Sequence, residues 1–564
     1  MDYDVVIRGG TIIDGTGAQP RPGDVATRDG KVVAVGDVNG GTATREIDAS
    51  GCVVTPGFVD IHTHLDAQIA WDPIASSSCW HGVTSIVLGN CGVTFAPCKP
   101  EDQEYLAKMM ESVEDIPAES ILSGLAFDWE TYGEYLQAID RMPKGVNVGG
   151  MVGHCAVRFH AMGERSLDQD PTDDELAHMQ QLVDEAIGAG ALGFSSSRTA
   201  LHRVPDGRAV PGTYAKAEEL LAIADVLNRR GAGVVELAAR LGEGDGEDLA
   251  NTRAEVAWMA DITRRGVPVT FNLAQTDMRP SLHTDVLAMV DKENANGARL
   301  RPQTTARGIG VLFGIAHNSP FHGDTWNALR ALKLDERLAL LDNDERRAAL
   351  IAEADNGANT DFLSRMYVLD PAAPRYDFRP ENSLMGLAGR AGETPGTTYV
   401  RLAQESGGRV VFSWPFLNPD LKGVETLLSH PDVILGLGDS GAHVGQIMDA
   451  SLPTFFLTYW VRERGLFSLE EGIRMLTSEP AAIFGVEGRG VLAEGACADI
   501  NVIDFDGLAL HGPQYVHDFP GGAGRYVQRA SGYRTTIVNG EVFMEDGEHA
   551  GALAGTTLRS RPAS

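Results

Sequence analysis

Residues 57–67 read GFVDIHTHLDA and place two histidines two positions apart at the end of an apolar run. Side chains alternate between the faces of a strand, so Asp60, His62 and His64 share one side. One histidine alone is more often a satisfied polar residue, but a co-directed pair where strand meets loop can hold a metal ion or move a proton. Other donors follow similar apolar runs. Cys91 stands in GNCG, His154 closes VNVGGMVGH, and Asp439 lies in GLGDSGAH. Nitrogen, sulfur and oxygen are the donors zinc takes, and a catalytic zinc site keeps one position open for water. A bound ion lowers the pKa of that water from about 15.7 to about 7. Asp439 would accept the proton and pass it to a leaving group. Each residue also has a plainer reading: Cys91 as a small buried hydrophobe, His154 as a packed group or an outer hydrogen-bond partner, Asp439 as a helix cap. His443 is either a substrate contact or a loop residue.

The elements that would position these groups alternate between strand-like and helix-like runs, the pattern of parallel βα units. Nine strand candidates fall at 58–62, 83–90, 146–154, 190–197, 233–239, 267–274, 299–305, 409–416 and 433–439, one more than an eightfold barrel needs. The helix expected at 172–190 has acidic residues in its first turn and glycine at its end. Residues of about 306–408 break the rhythm and read as a subdomain inserted near the barrel mouth. Short alternating strands at 4–55 and again at 495–547, the latter with an Asn539–Gly540 hairpin signal, read as one small β domain built from both termini. The expected architecture is therefore α/β: a (β/α)8 TIM-like barrel over 56–489, a β-sandwich from 1–55 plus 490–564, and the insertion.

The 564 residues are 43% hydrophobic and 22% charged, enough for a large core. Glycine, at 65 residues, is enriched over the usual share and points to many tight loops. A net charge of −31 would repel nucleic acid and anionic membranes. The beginning of the chain lacks a basic segment followed by an apolar stretch, and no long apolar run occurs, so the reading is a soluble, cytoplasmic protein acting on a small molecule. Six cysteines are too sparse for a disulfide scaffold and read as free thiols.

In order along the chain, GFVDIHTHLD, GVTSIVLGNCG, GMVGHCAVR, GALGFSSS, GLGDSGAH and LTSEPAAIFGVEGRGVLAEGACADINVID resemble the amidohydrolase superfamily, and most of all its N-acyl-D-amino-acid deacylase (D-aminoacylase) group, over nearly the full length. That resemblance implies hydrolysis of an amide bond by metal-activated water, and it allows a homo-oligomer. The chain also departs from the group. Its members carry histidines at the ends of the fifth and sixth strands, where this sequence has Glu236 and Asn272. No lysine ends the fourth strand, which offers Arg198 instead. The reading is one divalent ion, zinc first and a second ion allowed, held by His62, His64 and Asp439 with Cys91 next; oxygen from Glu236 would admit manganese or iron. Arg198 could hold a substrate carboxylate bidentately, and His154, Asn272 and His443 complete the expected substrate contacts. A cyclic-amide hydrolase or deaminase on the same barrel, or a metal-free scaffold, are the alternatives.

Overall fold

A computed structural model describes residues 2–38 and 40–560. Eight parallel strands form one sheet: β1 (Phe58–Asp60), β2 (Val83–Leu88), β3 (Asn147–Gly153), β4 (Gly193–Ser197), β5 (Val234–Ala238), β6 (Val269–Asn272), β7 (Leu300–Thr304) and β8 (Ile434–Leu435). Strands such as VTSIVL in β2 and VVELA in β5 are buried at every position, as parallel strands covered on both faces must be. Every neighbouring pair is parallel. The curled sheet closes where β1 and β8 run on into loops. Thr63 and Ser440 form a parallel bridge, and His64 N–H donates to the Ser440 carbonyl at 2.7 Å.

The ninth strand candidate lies outside the barrel. Val411–Leu417 pairs antiparallel with Ile309–Phe313 and Tyr367–Leu369, forming a separate three-stranded sheet. Its Pro415 and Trp414 belong to an antiparallel ribbon, not a buried parallel strand, a distinction that an apolar run does not carry. This sheet and the helices between its strands bury Trp326, Tyr399 and Phe412 in a core of their own.

A nine-stranded sheet takes Tyr3–Ile12 and its successors through Val53–Pro56 from one end of the chain, and Ile500–Ile503 with Tyr533–His549 from the other. Asn539 and Gly540, at φ of 48° and 86°, make the tight turn between Tyr533–Val538 and Glu541–Glu545. The helix Asp173–Ala189 begins with a capping box between Thr172 and Glu175 and ends on left-handed Gly190. All six cysteines are free. Among the described residues no helix is long and apolar enough to cross a membrane.

Asp499 joins the terminal sheet to β3 of the barrel. It is buried, pairs with Arg489, accepts from Asn147 Nδ2 at 3.1 Å, and accepts from the Asn539 amide at 2.8 Å. Removing this carboxylate strands the buried Arg489 guanidinium, so Asp499→Ala is expected to cost about 3–5 kcal/mol. Asp504→Ala, which breaks a pair with the exposed Arg534, should cost about 0–1 kcal/mol. Chemical denaturation midpoints of the two variants check the difference.

Candidate active site

β1 ends at Asp60, whose Oδ1 accepts the amide of His62 at 3.1 Å and turns the chain so that His62 and His64 stand just beyond the strand. Their rings lie 5.4 Å apart. His62 Nε2 is 3.1 Å from Asp439 Oδ1 and 3.4 Å from Cys91 Sγ, and His64 Nε2 is 3.7 Å from the same Asp439 oxygen. His62, His64 and Cys91 bring one ligand atom each to within 4.8 Å of one another. In a tetrahedral site with bonds of about 2.0–2.3 Å, donor atoms stand roughly 3.3–3.8 Å apart. The nitrogen, sulfur and oxygen donors therefore fit a divalent ion in kind and in spacing.

The backbone at this site is held in a costly conformation. Cys91, Leu437, Asp439 and His443 all have positive φ, from 43° to 54°. Such residues persist only where the surroundings enforce them, and they gather at functional sites. Two glycines make the Cys91 turn possible. A Cβ on Gly89 would meet the Met151 carbonyl oxygen at 2.1 Å, and one on Gly92 would meet the Ser197 nitrogen at 2.5 Å.

Behind the donors lies a ring of buried partners. Cys91 N–H donates to Glu236 Oε2 at 2.8 Å, while Glu236 Oε1 accepts from Gln303 Nε2 at 3.4 Å. Gln303 Oε1 stands 3.3 Å from His62 Nδ1, orienting the ring so that Nε2 faces the donors. Glu236 itself lies 3.8 Å from His62 Nδ1, on the far side of the imidazole from Asp439. Asn272 Nδ2 reaches Cys91 Sγ at 3.5 Å, and its Oδ1 is buried without a partner. His64 Nδ1 faces Glu114 Oε1 at 3.3 Å, and His443 Nε2 faces Glu114 Oε2 at 3.9 Å.

The metal-free electrostatics set these groups apart. Burial opposes the charge on Asp439, but His62 and His64 outweigh it and hold the carboxyl down at about 2. Burial also opposes charge on His62, yet Cys91 and Asp439 raise it well above the usual histidine value. Burial pushes Glu236 up to about 7 and Cys91 up to about 12, and it lowers His64 to about 3, with His62 adding to the effect. Asp439 is thus the ionised acid of the cluster at neutral pH.

Two residues singled out in the sequence point elsewhere. Arg198 is buried and grips Glu255 through Nε and a terminal nitrogen at 2.9 and 2.6 Å, while its other nitrogen donates to the Ala215 carbonyl at 2.7 Å. With all three nitrogens engaged and the side chain 3% exposed, Arg198 does not line the cavity and is not presented to a substrate carboxylate. His154 opens the helix His154–Met162 and is fixed between Ser196 Oγ and Glu219 Oε1, both at 2.8 Å. By contrast His64, Cys91, Asn272, Asp439 and His443 all line a cavity of about 530 Å³ at the barrel mouth. Glu114, Gln303 and His202 were not anticipated. Gln303 lies in a strand run and could have been read by alternation; Glu114 ends a helix and His202 sits in a loop, and neither carries a spacing signal.

A closed parallel barrel with imidazole, thiol and carboxylate converging where its strands end is the frame of a metal-assisted barrel enzyme. The chain belongs to the amidohydrolase family, whose match covers residues 45–544. It is 30% identical over 596 residues to an uncharacterized protein of Mycobacterium tuberculosis, covering 98% of this chain and 93% of that one. It is 26% identical over 578 residues to the D-aminoacylase of Alcaligenes xylosoxydans xylosoxydans, covering 98% of both. A solved D-aminoacylase structure, described for its binuclear metal centre, aligns at 25% identity with a TM-score of 0.66, covering 99% of this chain and all of that one.

Gly89→Ala is expected to lose at least ~1 kcal/mol more stability than Gly51→Ala. Both glycines have positive φ, but only Gly89 is crowded, since a Cβ on Gly51 meets nothing within 4 Å. Equal melting temperatures for the two variants would contradict the close packing of the Cys91 turn.

Proposed function

We propose that this protein is a metal-dependent amidohydrolase cleaving the amide bond of an N-acyl compound, of the kind represented by N-acyl-D-amino acids. The observation that carries the reading is the approach of Asp439 Oδ1 to His62 Nε2 and His64 Nε2 beside Cys91. The 26% identity to a D-aminoacylase along 98% of both chains supports it. His62, His64, Cys91 and Asp439 would hold one divalent ion, zinc by its donor preferences. Such an ion supplies Lewis acidity, polarising a carbonyl and lowering the pKa of water.

The chain's own residues do the rest. Asp439 lines the cavity with its side chain 18% exposed, and it is ionised, so it can take the proton of the attacking water and return it to the departing nitrogen. Glu236 fixes the turn that carries Cys91 by accepting its amide, and Gln303 fixes the His62 ring. Asn272 lines the cavity and holds the Cys91 sulfur through its amide nitrogen. His443 lines the same cavity and would contact the substrate portion next to the scissile bond. His154 and Arg198, tied to Glu219 and Glu255, support the loops after β3 and β4. Free thiols throughout fit a cytoplasmic site of action.

Purified protein is expected to carry about one divalent ion per chain by metal analysis. Asp439→Asn should lower kcat on N-acyl-D-amino acids by at least ~100-fold. Turnover by the variant equal to the parent's, or a metal-free parent that hydrolyses as fast as the metal-loaded one, would refute the reading. Metal uptake should also depend on pH. Burial raises the Cys91 thiol to about 12 and Glu236 to about 7. An incoming ion must therefore displace protons, and affinity should rise as pH increases from 6 to 8. Adding zinc to the apoprotein at pH 7 in dilute buffer should release at least one proton per ion, and Cys91→Ala should reduce that release.

A further inference from the structure

The two histidines of the proposed centre are steadied differently. His62 has Gln303 Oε1 at 3.3 Å from its Nδ1, whereas His64 is pinned through its backbone, by the 2.7 Å bond from its N–H to the Ser440 carbonyl. The His64 ring is 2% exposed, so solvent is not there to orient it. An imidazole that offers Nε2 to an ion carries its proton on Nδ1, and that N–H needs an acceptor to fix the tautomer and the tilt of the ring. Among the described residues neither His64 Nδ1 nor Glu114 Oε1 has a hydrogen-bond partner, and the two atoms stand 3.3 Å apart. Each therefore supplies what the other lacks.

Glu114 is itself held in place from two directions. It is the last residue of the helix Gln103–Glu114, which buries Leu106, Met109, Met110 and Val113 in the core, and the chain leaves it through Asp115 at φ 56°. Asp115 Oδ2 accepts from Gln446 Nε2 at 3.2 Å, and a Cβ on Gly445 would come within 2.8 Å of the same oxygen, so the helix end is packed against the loop after β8. That loop carries His443, whose Nε2 lies 3.9 Å from Glu114 Oε2. One carboxyl group thus stands between an imidazole of the ion site and the loop histidine.

We infer that Glu114 is a positioning residue of the reaction: it accepts the Nδ1–H of His64 and so aims Nε2 at the ion, the part that Gln303 plays for His62. This rests on the amide-hydrolysis reading and assigns to that site a residue from the long β2–β3 connection. An ionised and a protonated carboxyl group both offer an acceptor oxygen, so the role depends on reach and not on charge. Its effect is exerted through His64 rather than on the substrate.

Three substitutions separate reach from charge. Glu114→Gln keeps an acceptor oxygen at the same distance and removes the charge, Glu114→Asp keeps the charge and withdraws the oxygens by one methylene, and Glu114→Leu removes both. Zinc affinity of the full-length apoprotein, measured by competition with a chromophoric chelator, is expected to fall at least ~10-fold in Glu114→Leu and at least ~3-fold in Glu114→Asp, and to stay within ~2-fold in Glu114→Gln. With cobalt(II) in place of zinc, the visible absorption of Glu114→Gln should match the parent's while that of Glu114→Leu shifts, a change in ligand geometry that a loss of global stability alone does not produce. The inference is overturned if the parent and all three variants bind zinc alike, or if Glu114→Asp keeps the parent's affinity and Glu114→Gln loses it, which would make charge or direct ligation the function of this carboxylate. Should Glu114→Leu fail to fold, Glu114→Asp and Glu114→Gln decide by the same order. Neither readout needs turnover: a parent that binds zinc with no dependence on Glu114 ends this inference alone, and a parent that binds no metal ends the amide-hydrolysis reading with it.

Discussion

One backbone hydrogen bond organises the site: His64 N–H to the Ser440 carbonyl at 2.7 Å, beside the Thr63–Ser440 bridge. It is the seam at which the first and last strands of the barrel meet. The imidazole pair and Asp439 are almost 380 residues apart in the chain, and this seam is what sets Asp439 Oδ1 3.1 Å from His62. The seam is reinforced by the Ser78 hydroxyl on Ser440 Oγ at 2.8 Å. It is also tight, because a Cβ on Gly441 would meet the His64 carbonyl oxygen at 2.7 Å. The spacing of the donors is thereby inherited from barrel closure and does not depend on mobile loops.

Closure also forces acids together away from water. Burial raises Asp60, Asp66 and Glu236 to about 7 and lifts Glu114 well above the carboxylate range, whereas Asp439 is pulled down to about 2 by the histidines. Carboxyl groups in one site whose affinities for protons are driven apart can take different roles. The low one is the ionised group nearest the donors; the high ones, whose charge burial disfavours, serve as hydrogen-bond partners. A divalent cation would offset the mutual repulsion that the bare cluster carries, so the site costs less once loaded than empty.

Much of the frame was legible because it follows from periodicity. Apolar runs ending in a donor gave His62, His64, Cys91 and Asp439, since parallel strands must end at one face and their last residues point to it. The break in the strand–helix rhythm set residues of about 306–408 apart, but not Val411–Leu417 with them, because pairing partners are not written in an apolar run. Arg198 and His154 have types that suggest a site. Their fates were set by Glu255 and Glu219, which arrive on the helices Ala250–Arg264 and Ala217–Arg230 with no spacing that announces them. Glu114 was invisible for the same reason: it ends a helix in the long β2–β3 connection, and only folding brings it to His64.

Glu236 within β5 and Asn272 at the end of β6, the residues nearest the places where the resemblance expects histidines, are not idle replacements. Glu236 does not turn its oxygens toward Asp439; it accepts the Cys91 amide and holds that residue at φ 52°. Asn272 touches the Cys91 sulfur with its amide nitrogen. Both therefore act on Cys91, Glu236 on its backbone amide and Asn272 on its sulfur, and with Gln303 on His62 they form a connected shell around two of the donors. A histidine at either place would add a nitrogen ligand and room for a second ion. Glutamate and asparagine instead spend their polar atoms on positioning Cys91.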